Sequence, residues 1–206
     1  MPKHLVLDIG NVICEWNPEA LVASAFDDPE ARAAAFEATI GHPDWIELDK
    51  GLLETEEAVA RAVARSGLDP KRVAAVYGNL PASLVPIEDV HAAMREAHRD
   101  GVPLYVLSNM QSESWTWLQE NHEVFELCSG AVVSCEVGLA KPDPAIYRRL
   151  TERFGLRPAD CAFVDDMAAN VEAAIGCGWG AERLVERERG GALVRELAAR
   201  IAAERA

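Results

Sequence analysis

Apolar residues in this chain follow two patterns: short unbroken runs, and longer stretches in which they recur every three or four positions. The first run, His4-Leu5-Val6-Leu7-Asp8, ends in an acid with a glycine close behind. It reads as a buried parallel strand that delivers Asp8 to its carboxyl edge. Later runs behave the same way: 102–107 ends in Ser108-Asn109, Ala131-Val132-Val133 ends in Ser134, and 161–164 ends in Asp165-Asp166. Between and after them the spacing predicts helices over 87–100, 112–121, 143–154 and 168–176, and another near 190–205. Strand alternating with helix predicts an α/β fold with a doubly wound parallel sheet.

One region breaks that rhythm. From Asn17 to Pro86 the periodicity is helical, near 18–40, 54–66 and 69–79, punctuated by Gly41-His42-Pro43, Gly67 and Pro81 and without a strand-like run. The expectation is a small α-helical cap, 17–85, inserted into a core made of 1–16 and 86–206. A chain of 206 residues suits one core plus such an insertion, not two full-size domains.

Composition narrows the partners. Half the residues are hydrophobic and 26% charged, as in ordinary globular proteins, while the net charge of −14 argues against nucleic-acid and anionic-membrane partners. A small anionic substrate is still allowed, because a lysine, backbone amides and a divalent cation can reverse the sign inside one pocket. No run is long enough for a signal core or a bilayer span, and a cytoplasmic location is expected. The five cysteines are scattered and form no C-x-x-C pair, so reduced thiols are expected and neither a disulfide framework nor a thiolate zinc site is supported. Oligomeric state stays open, a homodimer included.

In open parallel sheets ligands bind beyond the carboxyl ends of the strands. Asp8, Ser108, Asn109, Asp165 and Asp166 all fall there, with Lys141 in a loop ahead of a helix. Carboxylates gathered at one edge repel unless a cation intervenes, and hard oxygen ligands of this kind suit Mg²⁺. Lys141 can neutralise one acid and hold a phosphoryl group, and the Ser108 hydroxyl can bind its oxygens. Asp8 can then act as the nucleophile, forming an aspartyl phosphate that water cleaves.

Four blocks carry a resemblance: LVLDIGNV around Asp8, VLSN around Ser108, GLAKPDPAIY around Lys141 and FVDDMAANVEAA around Asp165 and Asp166. In this order they resemble the haloacid dehalogenase superfamily, in the branch with a helical cap after the first strand. The resemblance implies a magnesium-dependent phosphatase acting on a small phosphorylated metabolite. Asp8 is implied as nucleophile and metal ligand, Gly10 as a ligand through its carbonyl, and Asp165 and Asp166 as the metal's acids. Ser108 and Asn109 are implied at the phosphate, with Lys141 bridging phosphate and nucleophile. The family's phosphatases carry a second Asp, the general acid/base, where this chain has Gly10. Metal binding through the carbonyl should survive that change, but the proton must come from elsewhere, Glu15 and His42 being candidates. The DIGNV string is similar to bacterial sugar-phosphate phosphatases acting on glucose 1-phosphate, whose leaving group depends less on an acid.

Blander readings stand beside these. Asp165-Asp166 can cap the following helix, and Asn170 can brace the metal loop or face water. Trp16 and Trp45 can line a substrate pocket or pack in the core; of Trp115 and Trp117, two positions apart, at most one should see the site. Two rival functions are a 2-haloacid dehalogenase, for which paired metal acids have no use, and a silent domain that senses a phosphorylated ligand.

Overall fold

The computed structural model describes residues 2–205. Five strands, β1 His4–Leu7, β2 Leu104–Ser108, β3 Gly130–Val133, β4 Cys161–Asp165 and β5 Gly180–Arg183, form one parallel sheet in the order β3-β2-β1-β4-β5. β1 lies in the middle, pairing Leu5 with Leu104 on one side and with Ala162 on the other. The order therefore reverses direction at β1, which opens a crevice beyond its carboxyl end.

Alternation along the strands serves two apolar layers. Leu5, Leu7, Val106 and Val164 face one cluster, packed by α7 (Glu88–Arg99) and α12 (Gly190–Arg205). Val6, Leu107 and Phe163 face the other, packed by Ile146, Tyr147 and Leu150 of α10 (Pro144–Phe154) and Ala174 of α11 (Ala168–Gly176).

Between β1 and α7 the chain forms helices only: α1 Pro18–Ala23, α2 Pro29–Ala38, α3 Asp44–Asp49, α4 Thr55–Ser66, α5 Pro70–Gly78 and α6 Leu80–Ser83. The single periodic stretch expected over 18–40 is broken. Asp28 accepts a hydrogen bond from Ala31 N at 2.8 Å and Pro29 opens a new helix, a start signal that outweighs the continuing periodicity. The short α3 and α6, and α9 (Ser134–Val137) directly after β3, span too few turns to show a period. β5 departs from the sequence expectation: Gly180, Glu182 and Arg183 are exposed and Ala181 half-buried, an edge strand without an apolar run. β2 begins at Leu104, two residues later than the apolar run suggests, because Pro103 has no N–H to pair and serves instead as acceptor for Leu5 N at 3.0 Å.

The helical insert is bound to the sheet by one continuous apolar cluster that includes Leu21, Leu48, Val73 and Val76 alongside Leu5 and Leu7. A polar pin adds to it. Ser134 Oγ, at the end of β3, donates to the Asp49 carbonyl of α3 and accepts from Met110 N at 2.8 Å. Next to that pin Gly51 has φ 68°, and a Cβ there would lie 2.7 Å from the Cys135 carbonyl oxygen. Gly51→Ala is therefore expected to lose about 1–3 kcal/mol of stability in chemical denaturation, because both the left-handed backbone and the contact oppose a side chain.

Candidate active site

The turn after β1 is built by Asn11, whose φ of 55° is a conformation asparagine tolerates better than most residues. Its Oδ1 accepts from Trp16 N at 3.0 Å and its Nδ2 donates to Asp166 Oδ2 at 3.0 Å, so one side chain closes the turn and ties it to the end of β4. Asp8 is held from below as its N donates to the Val164 carbonyl at 3.0 Å.

Lys141 Nζ lies 2.7 Å from Asp8 Oδ1 and 2.7 Å from Asp165 Oδ2, in side chains only 2%, 9% and 0% exposed respectively. Asp165 also accepts from Met167 N at 2.8 Å and from Asn170 Nδ2 at 3.0 Å on both oxygens. Asn170 is held in turn by Tyr147 Oη, which donates to its carbonyl at 2.9 Å. The lysine's own loop is fixed by a reciprocal pair: Asn109 Nδ2 donates to the Lys141 carbonyl at 3.0 Å and Lys141 N donates to Asn109 Oδ1 at 2.8 Å.

Burial raises the Asp8 carboxyl well above the ordinary carboxylate range; Lys141 opposes the rise and Asp165 adds to it. Burial alone would lower the Lys141 ammonium, but the two acids outweigh it and keep it charged. Oxygens of Asp8, Asp165 and Asp166 come within 4.8 Å of one another, three carboxyl groups against one ammonium. An all-oxygen donor set with this excess fits a hard divalent cation of the Mg²⁺ kind.

Above the acids opens a cleft of ≈ 230 Å³. Asp8, Gly10, Ser108, Asn109, Lys141 and Asp166 line its floor. Its walls come from Trp16, Trp45, Leu80 and Leu84, with Asp49, Gln111 and Ser114 beside them. Trp16 stacks on Trp45 at 6.1 Å, and Trp45 on Tyr77 at 5.7 Å.

A family model for haloacid dehalogenase-like hydrolases matches residues 2–178. The chain belongs to that family. Among curated relatives of this haloacid dehalogenase-like hydrolase, a sesquiterpene phosphatase of Aspergillus oryzae is 26% identical over 85% of this chain and 86% of its own length. A flavin mononucleotide hydrolase of Arabidopsis thaliana is 26% identical over 66% of this chain, which spans only 54% of that relative. A family enzyme from Bacteroides thetaiotaomicron, solved with magnesium and inorganic phosphate, superposes with TM-score 0.71 at 21% identity, covering 89% of this chain and 94% of that one. An L-2-haloacid dehalogenase of Xanthobacter autotrophicus superposes with TM-score 0.67 at 18% identity, covering 97% and 83%. At these identities the two structures establish the shared fold.

The hydrolase brings together every residue that the sequence motifs singled out, with Asp165 buried just beneath the cleft floor. Trp16 and Trp45 line the cleft; Trp115 and Trp117 do not. Trp115 packs edge-on to Phe125 and donates to Glu136 at 3.2 Å, while Trp117 packs on His122. Glu15 is ion-paired with Arg187 at 3.4 Å, and His42 Nδ1 accepts from Asp44 N at 3.1 Å; neither lines the cleft. Asn11, Asp49, Gln111 and Ser114 escaped sequence reading. For Asn11 the signal was a Gly-Asn pair in a tight turn, and for the last two the i, i+3 spacing that follows the Ser108 strand end.

Burial pushes the Asp49 carboxyl from 3.8 up to about 7, with the neighbouring Gln111 amide opposing the rise. The folded state thus holds a proton that the unfolded chain releases across that window, and stability from this group falls as pH rises through it. Asp49→Asn is expected to match the native protein near pH 4 and to gain on it by up to about 4 kcal/mol by pH 8 in denaturant titrations.

Proposed function

We propose that this hydrolase is a magnesium-dependent phosphatase that cleaves a small phosphorylated metabolite, a sugar phosphate, through an aspartyl phosphate on Asp8. The observation that carries the reading is the buried Lys141 ammonium, 2.7 Å from both Asp8 and Asp165, with Asp166 completing the acid cluster. Asp8, the Gly10 carbonyl, Asp165 and Asp166 would hold Mg²⁺. The chemistry a bound ion supplies there is neutralisation of the phosphoryl charge, which otherwise keeps an anionic ester away from an anionic nucleophile.

Lys141 opposes the rise that burial gives the Asp8 carboxyl, favouring its ionised form, and aims it. The Ser108 hydroxyl and the Asn109 loop at the end of β2 receive the phosphoryl oxygens. An Asp8 oxygen forms a bond to phosphorus as the bond from phosphorus to the leaving oxygen breaks. Water then attacks phosphorus, releasing inorganic phosphate and restoring Asp8. A phosphatase-named relative supports this class of reaction. The acid pair at the end of β4 favours it over halide displacement, which gains nothing from a cation site. The sugar-phosphate reading is supported by Gly10, since an anomeric leaving group is less basic and needs less protonation. A cytoplasmic setting is part of the proposal, supported by five free cysteines.

Phosphate release from a metabolite panel is expected to require Mg²⁺ and to stop with chelator. Asp8→Asn should lower it by at least about a thousandfold, the scale of losing a covalent nucleophile. Halide release from 2-haloacids in chelator would overturn the reading. A second outcome concerns position 10. A Cβ there would meet only Trp16 Cβ at 3.6 Å and Cγ at 4.0 Å, ordinary contact distances. Gly10→Asp should therefore fold, and is expected to raise turnover of simple alkyl phosphates by tenfold or more, roughly the lower end of what a general acid contributes.

A further inference from the structure

Three polar side chains on the cleft wall have no task in the chemistry above. Gln111 Nε2 and Ser114 Oγ are buried with no partner in hydrogen-bond geometry among the described residues, in residues 3% and 1% exposed, although the Gln111 side chain is near enough to Asp49 to oppose the rise of its carboxyl. They are three positions apart at the start of α8 (Ser112–Asn121), hence on one face, and both line the cleft. Asp49 joins them from α3, forms no ion pair among the described residues, and has its backbone pinned to the core through Ser134. Buried polar groups in native proteins are nearly always paired, so two unpaired ones at one cavity point to a missing partner that enters it.

We propose that Gln111, Ser114 and Asp49 form a leaving-group subsite that binds the hydroxyls of a polyhydroxylated phosphate ester, whose apolar ring face lies against Trp16 and Trp45. This rests on the phosphatase reading. An amide, a hydroxyl and a carboxyl offer both donors and acceptors, which suits neighbouring hydroxyls that need both. The Asp49 carboxyl, held high by burial, can itself donate. The stacked indoles supply a flat apolar wall for the C–H face of a sugar ring. An isoprenoid chain would fill the same space but leave Gln111 Nε2 and Ser114 Oγ unpaired, so the wall selects against it.

The test compares Ser114→Ala and Gln111→Met with the native enzyme on a hexose 1-phosphate and on p-nitrophenyl phosphate. Each variant is expected to lose about three- to tenfold more kcat/KM on the sugar ester than on the aryl ester, the scale of one neutral hydrogen bond. Calorimetry in an Asp8→Asn background gives a second reading: the same substitutions should weaken hexose phosphate binding by a similar factor relative to inorganic phosphate. Equal losses on both esters would overturn the subsite in favour of simple positioning of the Ser108 loop. No loss on either would overturn it in favour of water as the missing partner. If the native protein releases phosphate from nothing while the binding difference holds, the catalytic reading fails and the subsite stands. If hexose phosphate binds the Asp8→Asn protein no better than inorganic phosphate, the subsite fails whatever the activity.

Discussion

Lys141 carries its ammonium into a place where it is 2% exposed and meets two carboxylates there, each at 2.7 Å. Removing such ions from water costs several kcal/mol apiece, and a single pair often recovers little more than that cost. Here one cation answers two acids, with a third, Asp166, close by, and the imbalance is what gives the site its character. Burial, helped by Asp165, raises the Asp8 carboxyl despite the lysine, the two acids hold the lysine charged despite burial, and the excess of acids leaves an unmet demand for positive charge at the floor of the cleft. A packed core has no use for such a demand, whereas a site that admits a divalent cation and a phosphoryl group does.

Keeping the charges this close requires loops that do not relax apart. Three asparagines do much of that work. Asn11 joins the β1 turn to the β4 loop, Asn109 joins the β2 loop to the lysine's loop, and Asn170 bonds both oxygens of Asp165. An amide side chain donates and accepts at once, so it can bridge two backbone segments without adding charge to a cluster already too acidic. The reacting groups are therefore preorganised by neutral neighbours, an arrangement that costs little electrostatically and fixes geometry well.

The core strands were legible because burial on both faces leaves unbroken apolar runs, and the residue ending each run was legible as chemistry because parallel strands converge on one edge. Asp8, Ser108 and Asp165 could be placed at one edge on that ground, whereas Lys141, in a loop ahead of a helix, joined them through its motif. β5 was hidden because an edge strand buries too little to write a pattern, and the break at Asp27-Asp28-Pro29 because the helical period persists across it. The wall of the cleft was hidden for a different reason. Asp49 meets Gln111 and Ser114 only through tertiary packing of the insert on the sheet, and no local period records that meeting. Trp115 and Trp117 show the converse, an attractive position in sequence that packing turns elsewhere.

Gly10 shows how far structure can separate chemistry from packing. Its φ is not in the left-handed region, and a Cβ would meet nothing closer than 3.6 Å, so neither backbone nor space demands a glycine there. The conformational demand of this turn falls one residue later, on Asn11. What position 10 contributes beyond its carbonyl is therefore the absence of a carboxyl group. In a cluster that already holds three acids against one lysine, a fourth carboxyl would raise the repulsion that the lysine only partly offsets. The missing acid and the excess of acids are thus two sides of one electrostatic balance. In the proposed mechanism that balance would tie the choice of leaving group to the same charges that would hold the cation.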